Sequence, residues 1–155
     1  MEEDMVRRTS LWFALPRVRP GESYSEEMQD LIAGRGGRVH LETQHPLVCV
    51  RGPENHQAKC AAEMGYERLP REQVFPFIEV RAAAPRRGRE DTKGEMRRRI
   101  RAQLDTLVAC RCRHVLLTAF GCGAYGNPAA EVAKIYKEEL EDKAGAFDVV
   151  VFAVL

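Results

Sequence analysis

The stretch Phe120-Gly121-Cys122-Gly123-Ala124-Tyr125-Gly126-Asn127-Pro128 decides the fold. An apolar run, Val115-Leu116-Leu117-Thr118-Ala119, leads into it and predicts a short buried strand. Behind it Val132, Ala133, Ile135, Tyr136 and Leu140 recur at helical spacing. The order is strand, glycine loop, helix. Asn127 is the expected N-cap, and Pro128 suits the first helical position. Gly121, Gly123 and Gly126 allow the backbone to bend sharply and approach a ligand with its N–H groups. The helix start adds about half a positive charge. Such a loop suits a phosphate or diphosphate. It equally suits a tight turn that only packs strand on helix, and the glycine pattern alone leaves both readings open.

Working outward, Phe147 to Val154 is continuously apolar after Asp148 and predicts a closing strand covered on both faces. Upstream, Thr92 and Glu95 have capping-box spacing, and Met96, Ile100, Leu104, Leu107 and Val108 follow one helical stripe. Arg97, Arg98, Arg99 and Arg101 fall on the other faces and read as a solvated surface. Phe77 to Ala84 predicts a strand stopped by Pro85. From residue 77 the alternation of strand and helix is that of an α/β protein with a mostly parallel sheet and right-handed crossovers. Ligands collect beyond the carboxyl ends of such strands, where the glycine loop lies.

The first half is less regular. Glu2 to about Leu15 reads as a helix, with acids first and Arg7-Arg8 later. Pro16 and Pro20-Gly21 break it. Ser23 and Glu26 have capping-box spacing for a short helix through Met28, Leu31 and Ile32, closed by Gly34, Gly36 and Gly37. Leu47 to Arg51 predicts a strand between Pro46 and Gly52, and residues 52–75 read as loop with short helix at most.

The 155 residues suit a single domain, and a composition 45% hydrophobic and 30% charged is that of a soluble globular protein. A formal charge of +1 argues against a general polyanion binder and a sequence-specific nucleic-acid partner. No apolar run is long enough for a bilayer, so no membrane partner is expected. The acidic N-terminus and five cysteines without framework spacing suit a reducing, intracellular compartment, cytoplasmic or nuclear. Cys110, Cys112 and His114 do not have a familiar zinc spacing, and no metal is expected. Cys122 reads either as packing or as a thiol near positive dipole ends. A dinucleotide fold would place its glycines in the first strand–helix turn and a carboxylate at the end of the next strand. Here the loop comes late and the last strand ends Ala153-Val154-Leu155, which argues against an NAD-type cofactor.

Leu116 to Asn127, reading LLTAFGCGAYGN, followed by Val132-Ala133, resembles the phosphate loop and following helix of the macrodomain superfamily, closest to microbial-type poly(ADP-ribose) glycohydrolases. Val80 to Pro85 is similar to the Ala-Ala-Pro strand end of that family, Phe147 to Leu155 to its closing strand, and Glu2 to Leu11 to the helix that opens with its glutamate motif. The resemblance implies a macrodomain-like three-layer α/β/α fold and hydrolysis of an O-glycosidic ribose–ribose bond without metal or cofactor. It makes Glu3 the general acid on the leaving oxygen and Glu2 the group that holds ribose hydroxyls. It makes Gly121, Cys122, Gly123, Ala124, Tyr125, Gly126 and Asn127 the diphosphate cradle, with Tyr125 beside the distal ribose. The chemistry is reasonable, because a glycosidic oxygen leaves well only when protonated.

The sequence departs from the family in having no triple-glycine loop ahead of the glutamates, Met1 in place of Gln, and Arg86 in place of Asn. It is therefore expected to be an incomplete, C-terminal part of the domain, with sheet edge and apolar surface uncovered and a possible partner chain over the missing half. The implied partners are ADP-ribose, poly(ADP-ribose) or ADP-ribosylated protein. The alternatives are a non-catalytic ADP-ribose-binding module and a truncated inactive fragment.

Overall fold

A computed structural model describes residues 7–10, 24–60, 63–88 and 91–154. The fold is mixed α/β. It falls into two compact units: the described residues of Met1–Ser23 with Glu42–Glu79, and Tyr24–Leu41 with Val80–Leu155. In chain order the elements are α1 (Glu26–Ile32), β1 (His40–Cys49), β2 (Phe75–Arg81), α2 (Thr92–Ala109), β3 (His114–Thr118), α3 (Ala129–Glu141) and β4 (Val149–Ala153). Among the described residues they give two two-stranded sheets, β1 with β2 and β3 with β4.

The second unit carries the glycine loop. Its β3 and β4 run parallel, with Val115 opposite Val150 and Leu116 opposite Val151, as the strand–helix–strand order predicts. Side chains alternate across a strand, so Val115, Leu117 and Val150 share one face. On that face Leu117 joins Met96, Ile100 and Leu104 of α2 and Val132, Ile135 and Tyr136 of α3 in one core, with Val150 packed against it. Ile100 and Leu104 are wholly buried, each contributing about 2 kcal/mol by transfer from water. The expected stripe of α2 holds except at Val108, which is 38% exposed.

The other face is open. Leu116 is 69%, Val149 47% and Val151 49% exposed, so β3 is buried on one side only and β4 is not covered on both faces as its apolar run suggested. Continuous apolar sequence reports what a strand could bury, and here half of it meets solvent. β2, expected to join this parallel series, pairs with β1 instead.

Helix ends differ from the expected ones by a residue or two. Ser25, not Ser23, caps α1, its hydroxyl accepting from the Met28 amide; Ser23 lies outside the described residues. Asp91 caps α2 by accepting from the Gly94 amide, while Glu95 turns to Arg98 and Arg99. The arginines of α2 are less free than a solvated face requires. Arg97 and Arg101 meet the fully buried Glu139 of α3, and Arg99 reaches the Ala83 carbonyl at 2.7 Å. Gly34 follows the C-cap of α1 with φ +70°, and a side chain there would come 3.2 Å from Ala102 of α2. The Ala83 amide donates to the Ile32 carbonyl at 2.8 Å, and the Val39 amide to Thr106 Oγ1 at 2.9 Å.

In the first unit β1 starts seven residues earlier than Leu47 and includes Pro46. Its middle, Thr43 to Pro46, is exposed and carries a proline, which hides the strand from a hydrophobicity reading. Leu47 and Cys49 are its buried residues. Of the helix expected from Glu2 to about Leu15, only residues 7–10 are described: Arg7 and Arg8 are helical, Thr9 forms an antiparallel bridge with Cys49, and Ser10 lies in a turn. The described residues of 52–74 are mostly loop, with bridges Arg51–Arg68 and Glu54–Gly65 and a 3-10 turn at Arg71–Gln73.

Candidate functional site

The loop after β3 is built from short backbone bonds. The Cys122 amide donates to the Ala119 carbonyl at 3.0 Å, the Gly126 amide to Gly123 at 2.8 Å, and the Asn127 amide to Gly121 at 3.1 Å. Gly121 sits at φ +73°, and a Cβ there would stand 2.4 Å from the Ala84 Cβ, so this position takes only glycine. Gly126 also has positive φ, at +69°. Gly123 faces open space.

Asn127 is not the N-cap expected from the sequence. Pro128 occupies that place, with ψ of 121°, and the helix begins at Ala129. Asn127 is 6% exposed, and its Nδ2 donates to the carbonyl oxygens of Pro85 and Gly121, both at 2.9 Å. Its side chain is thus a strut that ties the loop to the segment after β2. A second tie runs from the Arg87 amide to the Tyr125 carbonyl at 3.0 Å. These long-range ties escaped the sequence reading, although Ala-Ala-Pro at 83–85 marked the right segment.

The consequence is a crest of free donors. Residues 123–126 are exposed, and among the described residues no acceptor meets the amides of Gly123, Ala124 or Tyr125. The amides of Ala129 and Ala130, first in α3, meet none either. Tyr125 presents its ring 45% exposed. Successive unpaired amides beside a helix start make a concave positive surface suited to an anion. Of the loop positions expected to cradle a diphosphate, Gly123, Ala124 and Tyr125 therefore offer N–H groups outward, while those of Cys122, Gly126 and Asn127 are used within the loop.

Cys122 packs against the core, its Sγ 3.7 Å from the Phe120 carbonyl, and burial pushes its thiol pKa up. That removes the reading of an activated thiol. A crevice of about 220 Å³ opens below the loop between the starts of α2 and α3, lined by Arg87, Lys93, Met96, Asn127 and Val132 among others. Among the described residues no group of His, Cys, Asp or Glu could hold a metal ion. Glu2 and Glu3 lie outside the described residues.

Solved structures share this fold. Poly(ADP-ribose) glycohydrolase from Deinococcus radiodurans in complex with ADP-ribose superposes with a TM-score of 0.63 at 26% identity, over 99% of this chain and 60% of that one. A second crystal form of that complex gives 0.62 at 25% identity, over 99% and 60% of the two chains. The chain has the fold of part of a poly(ADP-ribose) glycohydrolase. The apo form of the Deinococcus enzyme agrees, with a TM-score of 0.62 at 26% identity over 99% of this chain and 61% of that one. Neither the family models nor the curated proteins give a match. The chain thus spans about 60% of the length of the structures it matches, a partial, macrodomain-like domain. The likeness read from LLTAFGCGAYGN is borne out at the level of the fold. Among the described residues no helix is long and apolar enough to cross a membrane.

Proposed function

We propose that this chain grips the diphosphate of ADP-ribose with the amides of Gly123, Ala124 and Tyr125, as an ADP-ribosyl glycohydrolase of macrodomain type. The observation that carries this reading is the row of unpaired, exposed donors on a loop whose other bonds hold it in shape. A preorganised row of amides costs little to order when the anion arrives, which favours affinity. Similarity to an enzyme crystallised with ADP-ribose supports the choice of ligand.

In this reading Tyr125 packs beside the distal ribose, Glu3 protonates the departing glycosidic oxygen and then assists water, and Glu2 holds the ribose hydroxyls. Poly(ADP-ribose) or ADP-ribosylated protein is the substrate, and a single domain carries the site. The work of a general acid depends on its position, so the reading requires Glu3 to be held within hydrogen-bond reach of the departing oxygen.

The test is spectroscopic and kinetic. In an isotope-labelled chain, ADP-ribose should shift the amide resonances of Gly123, Ala124 and Tyr125 saturably, and Gly123→Glu should abolish those shifts. No saturable shift at millimolar ligand would remove the diphosphate site. Release of ADP-ribose from poly(ADP-ribose) should then fall to background in Glu3→Gln; equal release by both forms would leave a binding module without hydrolysis.

A further inference from the structure

The first unit holds a second positively charged groove. Its volume is about 880 Å³, and Arg51, Arg68, Arg71, Val50, Leu69 and Val74 line it. Arg51 and Arg68 are antiparallel bridge partners. The flanking bonds run from the Leu69 amide to the Val50 carbonyl at 3.0 Å and from the Gly52 amide to the Glu67 carbonyl at 2.9 Å. That pattern makes Arg51 and Arg68 a non-hydrogen-bonded pair, the position where facing side chains stand closest. Like charges directly opposite each other destabilise a strand pair. Arg71 follows Pro70 in the next turn and adds a third cation.

Among the described residues no carboxylate neutralises them. Among the described residues none of these arginine side chains makes an ion pair or hydrogen bond. Glu67 and Glu72 stand beside them in sequence, yet neither lines the groove nor pairs with an arginine. Guanidinium forks match phosphate oxygens two at a time, and Val50, Leu69 and Val74 line the same groove. The volume lies in the range of small-ligand sites.

We infer that this groove binds a nucleoside diphosphate unit, with Arg51 and Arg68 bracketing one phosphate and Arg71 meeting the other. The inference does not rest on the glycine loop. The ligand supplies the negative charge that the strand pair lacks, so the repulsion built into Arg51 and Arg68 turns into affinity. Free nucleotide and the repeating unit of poly(ADP-ribose) share this chemistry.

The experiment uses the full chain carrying Gly123→Glu, which leaves the groove intact. Calorimetric titration with ADP should show saturable binding, displaced by inorganic pyrophosphate and weakened by salt. Arg51→Gln and Arg68→Gln should each weaken it about tenfold. Without ligand, Arg68→Gln should melt no lower than its parent, because it relieves a like-charge contact. Poly(ADP-ribose) binding more tightly than ADP assigns the groove to the polymer, and equal or tighter binding of ADP assigns it to free nucleotide. If the Gly123→Glu chain binds neither ADP nor polymer, or the arginine variants bind as tightly as their parent, the groove is not a nucleotide site. Loss of all binding in Gly123→Glu alone would leave the proposal for the glycine loop standing.

Discussion

Asn127 donates from its side-chain amide to the carbonyl oxygen of Pro85, 42 residues earlier, at 2.9 Å. The same Nδ2 holds the Gly121 carbonyl at 2.9 Å, so one buried nitrogen fixes both ends of the loop's base. Replacing it strands two carbonyls. Asn127→Ala should lower stability by about 1–3 kcal/mol, measured by urea denaturation. Asn127→Asp should cost at least as much, because a carboxylate would then face carbonyl oxygens. An Asn127→Ala chain as stable as the parent would show that the strut does not hold the loop.

Gly121 and Gly123 look alike in sequence and differ in the fold. An added Cβ at Gly121 would meet Ala84 at 2.4 Å with φ held at +73°, whereas at Gly123 nothing lies within 4 Å. Gly121→Ala should therefore destabilise by about 2 kcal/mol or more, and Gly123→Ala by less than about 0.5 kcal/mol. Thermal melts of the two variants give the comparison. Gly123→Ala should still weaken ADP-ribose binding, because the substitution falls on the crest of free amides.

Glu139 is fully buried, with Arg101 Nε 2.8 Å from Oε2 and Arg97 Nη1 3.0 Å from Oε1. The Arg101 bond, then that of Arg97, outweighs burial and holds the Glu139 carboxyl below its ordinary value of 4.5. A carboxylate that binds its proton more weakly when folded than when unfolded stabilises the fold above the ordinary pKa. That contribution is fully present at neutral pH and is lost as acid carries the pH below about 4.5. Glu139→Ala should cost about 3 kcal/mol by leaving Arg101 without its carboxylate and Arg97 with Glu138 alone. It should also flatten the fall in stability between mildly and strongly acid solution, as followed by denaturation at a series of pH values. An unchanged acid limb in the variant would assign the acid sensitivity to other carboxylates.

The parts of this molecule written in local sequence were readable, and the parts set by distant contacts were not. The stripe Met96, Ile100, Leu104 and Leu107 repeats within one helix, and its burial follows from that spacing. The loop announced itself because Gly121 and Gly126 are needed where the backbone takes positive φ. Asn127 reads as a cap since Asn before Pro is a common helix start, yet its side chain is taken by Pro85, which no local pattern reveals. Glu139 was missed for a related reason. It shares a stripe with Val132, Ile135 and Tyr136, and a carboxylate on an apolar stripe signals a buried partner, here two arginines that read as solvated. β1 escaped because Thr43 to Pro46, in its middle, face water and include a proline. Among the catalytic candidates, Glu2 and Glu3 remain proposals drawn from the resemblance.

Leu116 and Val151 are neighbours across the parallel pair and share its open face, 69% and 49% exposed. Val149 continues that face along β4. Apolar surface of this kind drives association, and a parallel pair that no further strand flanks among the described residues adds backbone donors and acceptors to it. Neither side chain supports the core, which lies on the opposite face with Leu117. Leu116→Thr with Val151→Thr should therefore change folding free energy by less than about 1 kcal/mol while cutting aggregation, read by light scattering against concentration. Thr is β-branched and favoured in strands, as Val is, so loss of apolar area is the main change. The Thr pair should leave the ADP-ribose shifts of Gly123 to Tyr125 intact, because the loop's ties run through Asn127 and Arg87. If the double variant aggregates as readily as its parent, the open face of β3 and β4 is not what brings copies together.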